Sequence, residues 1–496
     1  MNRYVAIIIV LLCVVTARAQ VPATDTLAVA DTLAYNCRHA MQLKPRPLQA
    51  LGLMVLSNSF IHLSGRYLGD EPFSKVTLHS IRRNMKSGFA WDDDTFFLNA
   101  IGHPYQGLLD FNAARSSGFT FWQSVPFTAV GSLLWEYVGE REKPSINDMI
   151  STTLAGTMFG EIAYRTASHV IDEGERGASR VAREAVAFML NPPGSLERLL
   201  NGRMWKVRRA DAYAPAAEDG KGCAGGVSLG YRYLAAPGHD SHVSHQPFVQ
   251  VLFESGEAAD GEAHAVPFDF FSLDGMLAFG RRQSVVARLD LTGRLFSTPV
   301  IASSKGCGEL GLYQYYYADD SHLPDSVASP FPFAEVASLG PGLQFSFPRL
   351  SPSLSLQQRV NLRGVALGFA YSDYYNVYRR RYNMGSGYGA SVMSRLLWNG
   401  RAALQLDAHY LHLFTWKGYE PRDISGYVYD GTPLNVMGDR SHARLFTLRL
   451  LARARLNGCW RLAVGASLFS RHTHYKYHSD RHADAYELQA GIECTL

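Results

Sequence analysis

A chain of 496 residues with 47% hydrophobic and 19% charged residues is long enough for two or more domains and has near-average globular composition. The formal charge of +4 excludes a broad nucleic-acid-binding surface. With 44 glycines, 26 tyrosines and 26 phenylalanines, the composition favours strands with tight turns and aromatic belts.

The first nineteen residues read as a secretory signal. Arg3 opens a short basic start, Val5 to Val15 is apolar, and Ala17 and Ala19 place small residues before a cut at Gln20. The run is short for a membrane anchor. Leu12 before Cys13 argues against a lipoprotein signal. Export implies an oxidising compartment for Cys37, Cys223, Cys307, Cys459 and Cys494. Their wide spacing suggests isolated thiols, with a Cys223–Cys307 link as the alternative. Residues 20–47 form a mobile, Pro-punctuated leader.

Residues 48–215 read as an α-helical domain. Leu48–Gly69, Phe119–Glu140, Pro144–Asp172 and Ser179–Leu190 are the helical stretches, the second bent or started by Pro126. Ser145 and Asp148 fit a capping box. Every stretch carries polar groups, among them Asn58, His62 and Arg66 in one stripe, so none is a clean inner-membrane span. The intervening Asn99–Phe119 is read as a turn and clasp that delivers the bundle onto, or into, the periplasmic mouth of the following barrel.

From residue 220 to 496 the period changes to two. Ala402, Leu404, Leu406, Ala408 and Tyr410 alternate with Gln405, Asp407 and His409; Leu448, Leu450, Ala452 and Ala454 alternate with Arg449, Arg453 and Arg455. Val285–Leu295 and Tyr486–Leu496 repeat the pattern. Arginine this dense opposite an apolar face fits a water-lined lumen better than a soluble core. WNGR (Trp398–Arg401) and LNGC (Leu456–Cys459) are tight hairpin turns, with long polar segments between them. The fold class expected is therefore mixed: a helical domain followed by an antiparallel outer-membrane β-barrel of about twelve strands.

The motifs GHPYQG, AARSSGF, WEYVGE, PSINDMISTT and G-x-x-x-GE occur in order between Asp92 and Ser168. This stretch resembles a bacterial family known as domain of unknown function 3943. The resemblance implies an exported, envelope-located protein of Gram-negative bacteria with no assigned activity.

His103, Glu136, Glu140, Asp148 and Glu161 are the candidate catalytic set. Glu136 and Glu140, at i and i+4, share one helical face, and a like-charged pair raises one pKa as general acid–base chemistry requires. An envelope lipid- or glycan-modifying enzyme is the alternative function on that basis. The favoured reading is structural: Arg115 and Arg165 clasp Glu136 and Glu161, and Gly156 and Gly160 let helices approach closely. His103 before Pro104 reads as a turn residue bonded to backbone. HTHYKYH (His472–His478) has metal-binding composition but reads as a solvent-facing loop. No cofactor, metal or nucleic acid is expected; the partners expected are outer-membrane lipid and an envelope protein or small solute.

Overall fold

The computed structural model describes residues 44–207, 223–236, 243–280, 285–303, 305–320, 332–377, 380–419 and 433–495. The proposed signal, most of the leader and the bridge at 208–222 lie outside them. The chain forms two compact units: Met1–Ala90 with Ile101–Gly222, and Trp91–Ala100 with Cys223–Leu496.

The first unit is helical. Its elements are α1 (Pro47–Ser64), α2 (Leu78–Asn84), α3 (His103–Arg115), α4 (Phe121–Leu134), α5 (Ile146–Ile150), α6 (Gly156–Val170), α7 (Gly177–Leu190) and α8 (Pro192–Leu200). Among the described residues no helix is long and apolar enough to cross a membrane. The stretch around GHPYQG is not a turn. His103 begins the regular part of α3, which continues directly from a π-turn at Leu98–Gly102, so Pro104 sits within a continuous helical run. This helix is central: twelve of its residues are buried, Asp110, Asn112 and Arg115 among them. Small residues make that burial possible. A Cβ on Gly107 would stand 2.0 Å from Thr152 O and 2.8 Å from Gly156 Cα, so α3 and α6 touch through backbone. Thr120 and Gln123 cap α4 reciprocally, which leaves Pro126 inside that helix rather than at its start. Ser145 Oγ accepts from Asp148 N at 3.4 Å and starts α5.

The second unit is a closed antiparallel barrel of 12 strands. In chain order they are β1 (Cys223–Ala235), β2 (Val243–Ser255), β3 (Phe271–Ala278), β4 (Val286–Ser303), β5 (Gly306–Asp320), β6 (Pro332–Ser351), β7 (Leu354–Tyr371), β8 (Tyr382–Trp398), β9 (Ala402–Phe414), β10 (Ser441–Asn457), β11 (Trp460–Tyr475) and β12 (Arg481–Thr495). Each pairs with its neighbour, and β1 closes on β12 from Gly226↔Thr495 to Ala235↔Tyr486. Closure leaves no edge for lipid to solvate, which is the condition for spanning with strands.

The two ends differ. Ser351–Leu354, Trp398–Ala402 and Asn457–Trp460 are joined by tight turns, and Cys223 and Thr495 lie at that same end. Asn399 (φ 48°) and Gly400 (φ 64°) adopt the left-handed pair that a two-residue hairpin turn needs. The opposite end carries the longer connections, 372–381 and 415–440 among them. Outward positions such as Leu404, Leu406, Leu450, Leu468 and Leu488 are exposed, while Gln405, Arg449, Arg471 and Glu487 between them are buried. Apolar outside and charged inside is the pattern of a lipid-embedded barrel. The protein is an outer-membrane β-barrel with an N-terminal helical region.

Candidate functional site

Two charged assemblies stand out, one in each unit. In the helical unit, the sequence-predicted residues separate into two groups. Glu161, fully buried, takes Arg115 Nε at 2.8 Å and Arg165 Nε at 2.8 Å. Arg115 also donates to Phe119 O at 3.1 Å and lies over the Tyr164 ring at 4.5 Å. Burial alone would raise the Glu161 carboxyl, but the two guanidinium groups outweigh it and hold the carboxyl below its ordinary value.

Glu136 stands in the other group, with Glu140 and Asp148: one carboxylate oxygen from each lies within 4.8 Å of the others, and all three side chains are buried. His103 Nε2 is 3.2 Å from Asp148 Oδ1. Ser145 N donates to Glu136 Oε2 at 2.6 Å, Trp135 Nε1 to Glu140 Oε2 at 3.1 Å, and Asn147 Nδ2 to Asp148 Oδ1 at 2.9 Å. The i, i+4 spacing does not act through one helical face. A π-turn, Trp135–Gly139, follows α4, and Glu140 is already extended beyond it (φ −132°, ψ 160°). Glu140 therefore folds back toward Glu136, and α5 adds Asp148. Such an oxygen-rich triad is the chemistry that holds a hard divalent cation or shares protons.

Of the buried carboxyls outside the sequence-predicted set, Asp110 has no cationic ion-pair partner among the described residues. Asp110 is 0% exposed, takes Asn58 Nδ2 at 2.6 Å on Oδ1, and packs against Gly131, where a Cβ would stand 2.2 Å from Oδ2. Burial pushes its pKa well above the usual carboxylate range.

In the barrel unit, the inward residues form ion-pair layers. Toward the long-connection end, Glu487 joins Arg232 at 2.9 Å and Arg288 at 3.1 Å. Midway, Arg363 meets Glu335 at 2.9 Å and Arg449 meets Asp274 at 2.5 Å. Toward the short-turn end, one carboxylate serves two arginines twice. Glu254 takes Arg359 at 2.6 Å and Arg395 at 2.7 Å, and Glu493 takes Arg453 at 3.2 Å and Arg461 at 3.4 Å. A cavity of about 560 Å³ lies among these layers, lined by Asp290, Tyr315, Arg363, Arg395, His409 and Arg453 among others.

Both ends of this interior carry infolded chain. At the short-turn end, the β2–β3 connection turns in. His264 N and Ser297 O are 2.9 Å apart, Arg294 binds Asp269 at 2.8 Å and Glu309 at 2.7 Å, and Phe268 and Phe270 are buried. Asp269 and Glu309 hold the His264 imidazole up at about 10, so it is a cation here. At the long-connection end sits Trp91–Ala100. Tyr375 Oη donates to Asp93 at 2.6 Å, Asn99 Nδ2 donates to Tyr382 Oη at 2.7 Å, and Phe96 packs edge-on against Tyr382. These ten residues therefore belong with the barrel and not with the helical domain that the sequence suggests for them. DDD and NA carry no strand period, and only their partners on distant strands reveal their place.

Residues 88–193 match the model of a family described as Domain of unknown function (DUF3943). The matched segment is similar to that family. It holds both carboxylate groups of the helical unit as well as the Trp91–Ala100 segment of the barrel unit. No curated protein matches the chain. Among solved structures, the NanC porin is 9% identical over 53% of this chain and 98% of its own (TM-score 0.24). The COG4313 outer membrane channel from Pseudomonas putida F1 is 13% identical over 55% and 96% (TM-score 0.25). The Pseudomonas putida toluene transporter TodX is 10% identical over 57% and 92% (TM-score 0.22). Scores this low leave what those proteins carry with those proteins.

Proposed function

We propose that the protein is a passive outer-membrane channel for small anionic solutes, and that its DUF3943-like segment is structural. The observation that supports this is the cavity inside the barrel. Seven arginines and five acids line it, a cationic majority among the lining side chains, while Arg288 and Arg363 also pair with Glu487 and Glu335, which lie outside the lining. Low-dielectric walls of one sign raise the local concentration of the opposite ion. The test is conductance of the full chain in a planar bilayer under a salt gradient. Discrete channels with an anion-selective reversal potential are expected; absence of conductance in a correctly folded protein overturns the reading.

The convergence of Glu136, Glu140 and Asp148, with His103 on Asp148, favours a second reading: an enzyme acting on envelope lipid or glycan. In that reading Glu136 and Glu140 share one proton as general acid and base, with His103 oriented by Asp148. Glu161, engaged by two arginines, would take no part.

A further inference from the structure

Of HTHYKYH, His472–Tyr475 end strand β11, and Lys476–His478 form the connection that the sequence suggests. His472 and His474 lie on β11 and point outward, with Thr473 between them fully buried. Their neighbours form a continuous row around the wall. Tyr388 on β8 pairs with His412 on β9, His412 with Arg444 on β10, Arg444 with His472, and His472 with His482 on β12. One step toward the long connections, His442 pairs with His474, their rings 5.1 Å apart. Directly opposed side chains across a sheet stand about 5 Å apart. Arg444 has a histidine on each side. Two acids lie nearby, Asp480 at 2.8 Å from His474 and Asp484 at 3.1 Å from His482, and neither stands between Arg444 and its two partners in the row.

Below this row the outward face is apolar, with Leu450, Leu468 and Leu488 exposed. Arginine and lysine on a lipid face are costly at mid-membrane and nearly free at the interface. The row therefore marks the head-group level at the long-connection end.

We propose that this outward row, centred on Arg444 with His472 and His482, binds the phosphate of a membrane lipid. A phosphate beside Arg444 accepts a charge-assisted hydrogen bond from the guanidinium and further hydrogen bonds from the neighbouring imidazole N–H groups, and the apolar face beneath takes the acyl chains. The site lies on the outer wall and does not depend on what the lumen carries.

The experiment is native mass spectrometry of the full chain in detergent with phosphatidic acid, set against phosphatidylcholine of the same chains. Retention of phosphatidic acid with a preference of about tenfold is expected, the size of one hydrogen bond to a charged group. The Arg444→Ala/His472→Ala/His482→Ala variant, checked for folding by the heat-dependent gel shift, should lose that preference. Should that variant fail to fold, Arg444→Gln alone should reduce it several-fold. Equal retention of both lipids, an unchanged preference in the folded variant, or full displacement by equimolar inorganic phosphate overturns the proposal.

A separate observation concerns the short-turn end. Cys494 Sγ lies 3.1 Å from Cys459 Sγ, and Thr495 N donates to Cys459 O at 2.9 Å, so backbone hydrogen bonding holds the two thiols together. We infer that they are oxidised to a disulfide in the exported protein. An oxidant of the protein-disulfide class accepts the two electrons and two protons and leaves as a dithiol, and one S–S bond forms. Full-length protein alkylated at lysis should yield a cross-linked Cys459–Cys494 peptide pair, with Cys223 and Cys307 alkylated. Alkylation of both Cys459 and Cys494 overturns it.

Discussion

Arg115 Nε and Arg165 Nε each donate to Glu161 at 2.8 Å, one to either carboxylate oxygen, in the interior of the helical unit. Removing one partner of a buried pair leaves charge uncompensated, at about 3–5 kcal/mol. Arg115→Ala should therefore lower the unfolding temperature of the helical unit and open it to limited proteolysis, while the heat-dependent gel shift of the barrel persists. An unchanged proteolysis profile would show Arg115 to be dispensable.

Acid should weaken the same unit. The folded Glu161 carboxyl sits below its unfolded value, so its contribution is present above that value and fades as pH falls. Burial lowers His169 to about 4 from 6.5, so the unfolded chain binds its proton first between those values, and stability falls as pH drops there too. In the full-length Asp110→Asn chain, which lacks the opposing titration of Asp110, thermal unfolding followed by helical circular dichroism from pH 7 to 4 should show a declining midpoint; a midpoint that rises would contradict both assignments.

Asp110 works in the opposite sense. Its folded pKa is raised well above 3.8, so the unfolded chain loses the proton first as pH rises, and stability is lost across that interval. Asp110→Asn keeps the shape and removes the cost, each tenfold difference in proton affinity between the folded and unfolded chain being worth about 1.4 kcal/mol. The variant should be more stable than the parent at pH 7 and converge with it near pH 4. Equal stability at pH 7 would mean that Asp110 is ionised in the fold.

Gly107 leaves no room for a side chain: its Cβ would meet backbone at 2.0 Å. Gly107→Ala should push α3 from α6 and cost about 1–3 kcal/mol, read as a lower unfolding midpoint of the helical unit. Gly52, with nothing within 4 Å of the same position, is the control, and Gly52→Ala should be neutral or stabilising.

The channel reading makes a lumen-specific prediction. Glu254 neutralises Arg359 and Arg395 together. Glu254→Gln adds one net positive charge to the wall and should shift the reversal potential further toward anions, while Arg395→Gln should shift it back. Insensitivity of selectivity to both would separate conduction from this cavity.

Glu136→Gln and Glu140→Gln distinguish scaffold from enzyme. A general acid–base role predicts a loss of roughly 100-fold in activity with the fold intact. We expect instead a lower melting point of the helical unit and an unchanged envelope lipid and glycan profile. A changed profile at normal protein abundance would establish the enzyme.

The barrel was legible because its signal is local. Lipid outside and charge inside impose an alternation that Leu404 to Tyr410 and Leu448 to Arg455 display within a few residues, and Asn399-Gly400 announces its turn through backbone chemistry alone. The helical domain was legible only in outline. GHPYQG carries the glycine and proline of a turn, yet Pro104 just after a π-turn and Gly107 at a backbone contact belong to the central helix; the same residues serve both, and only the partner at Thr152 decides. Arg115 and Glu161 were candidates among several pairs, because charge complementarity names possible partners without fixing distance. Glu136 joined Glu140 and Asp148 through a π-turn that no residue period announces. The row through Tyr388, His412, Arg444, His472 and His482 gathers residues up to 94 positions apart, and its existence depends on strand register, which backbone hydrogen bonding between distant segments sets. Sequence by itself determined which faces meet lipid and which meet charge; tertiary structure decided which charges meet one another, because ion pairing depends on positions in space that a chain specifies only once folded.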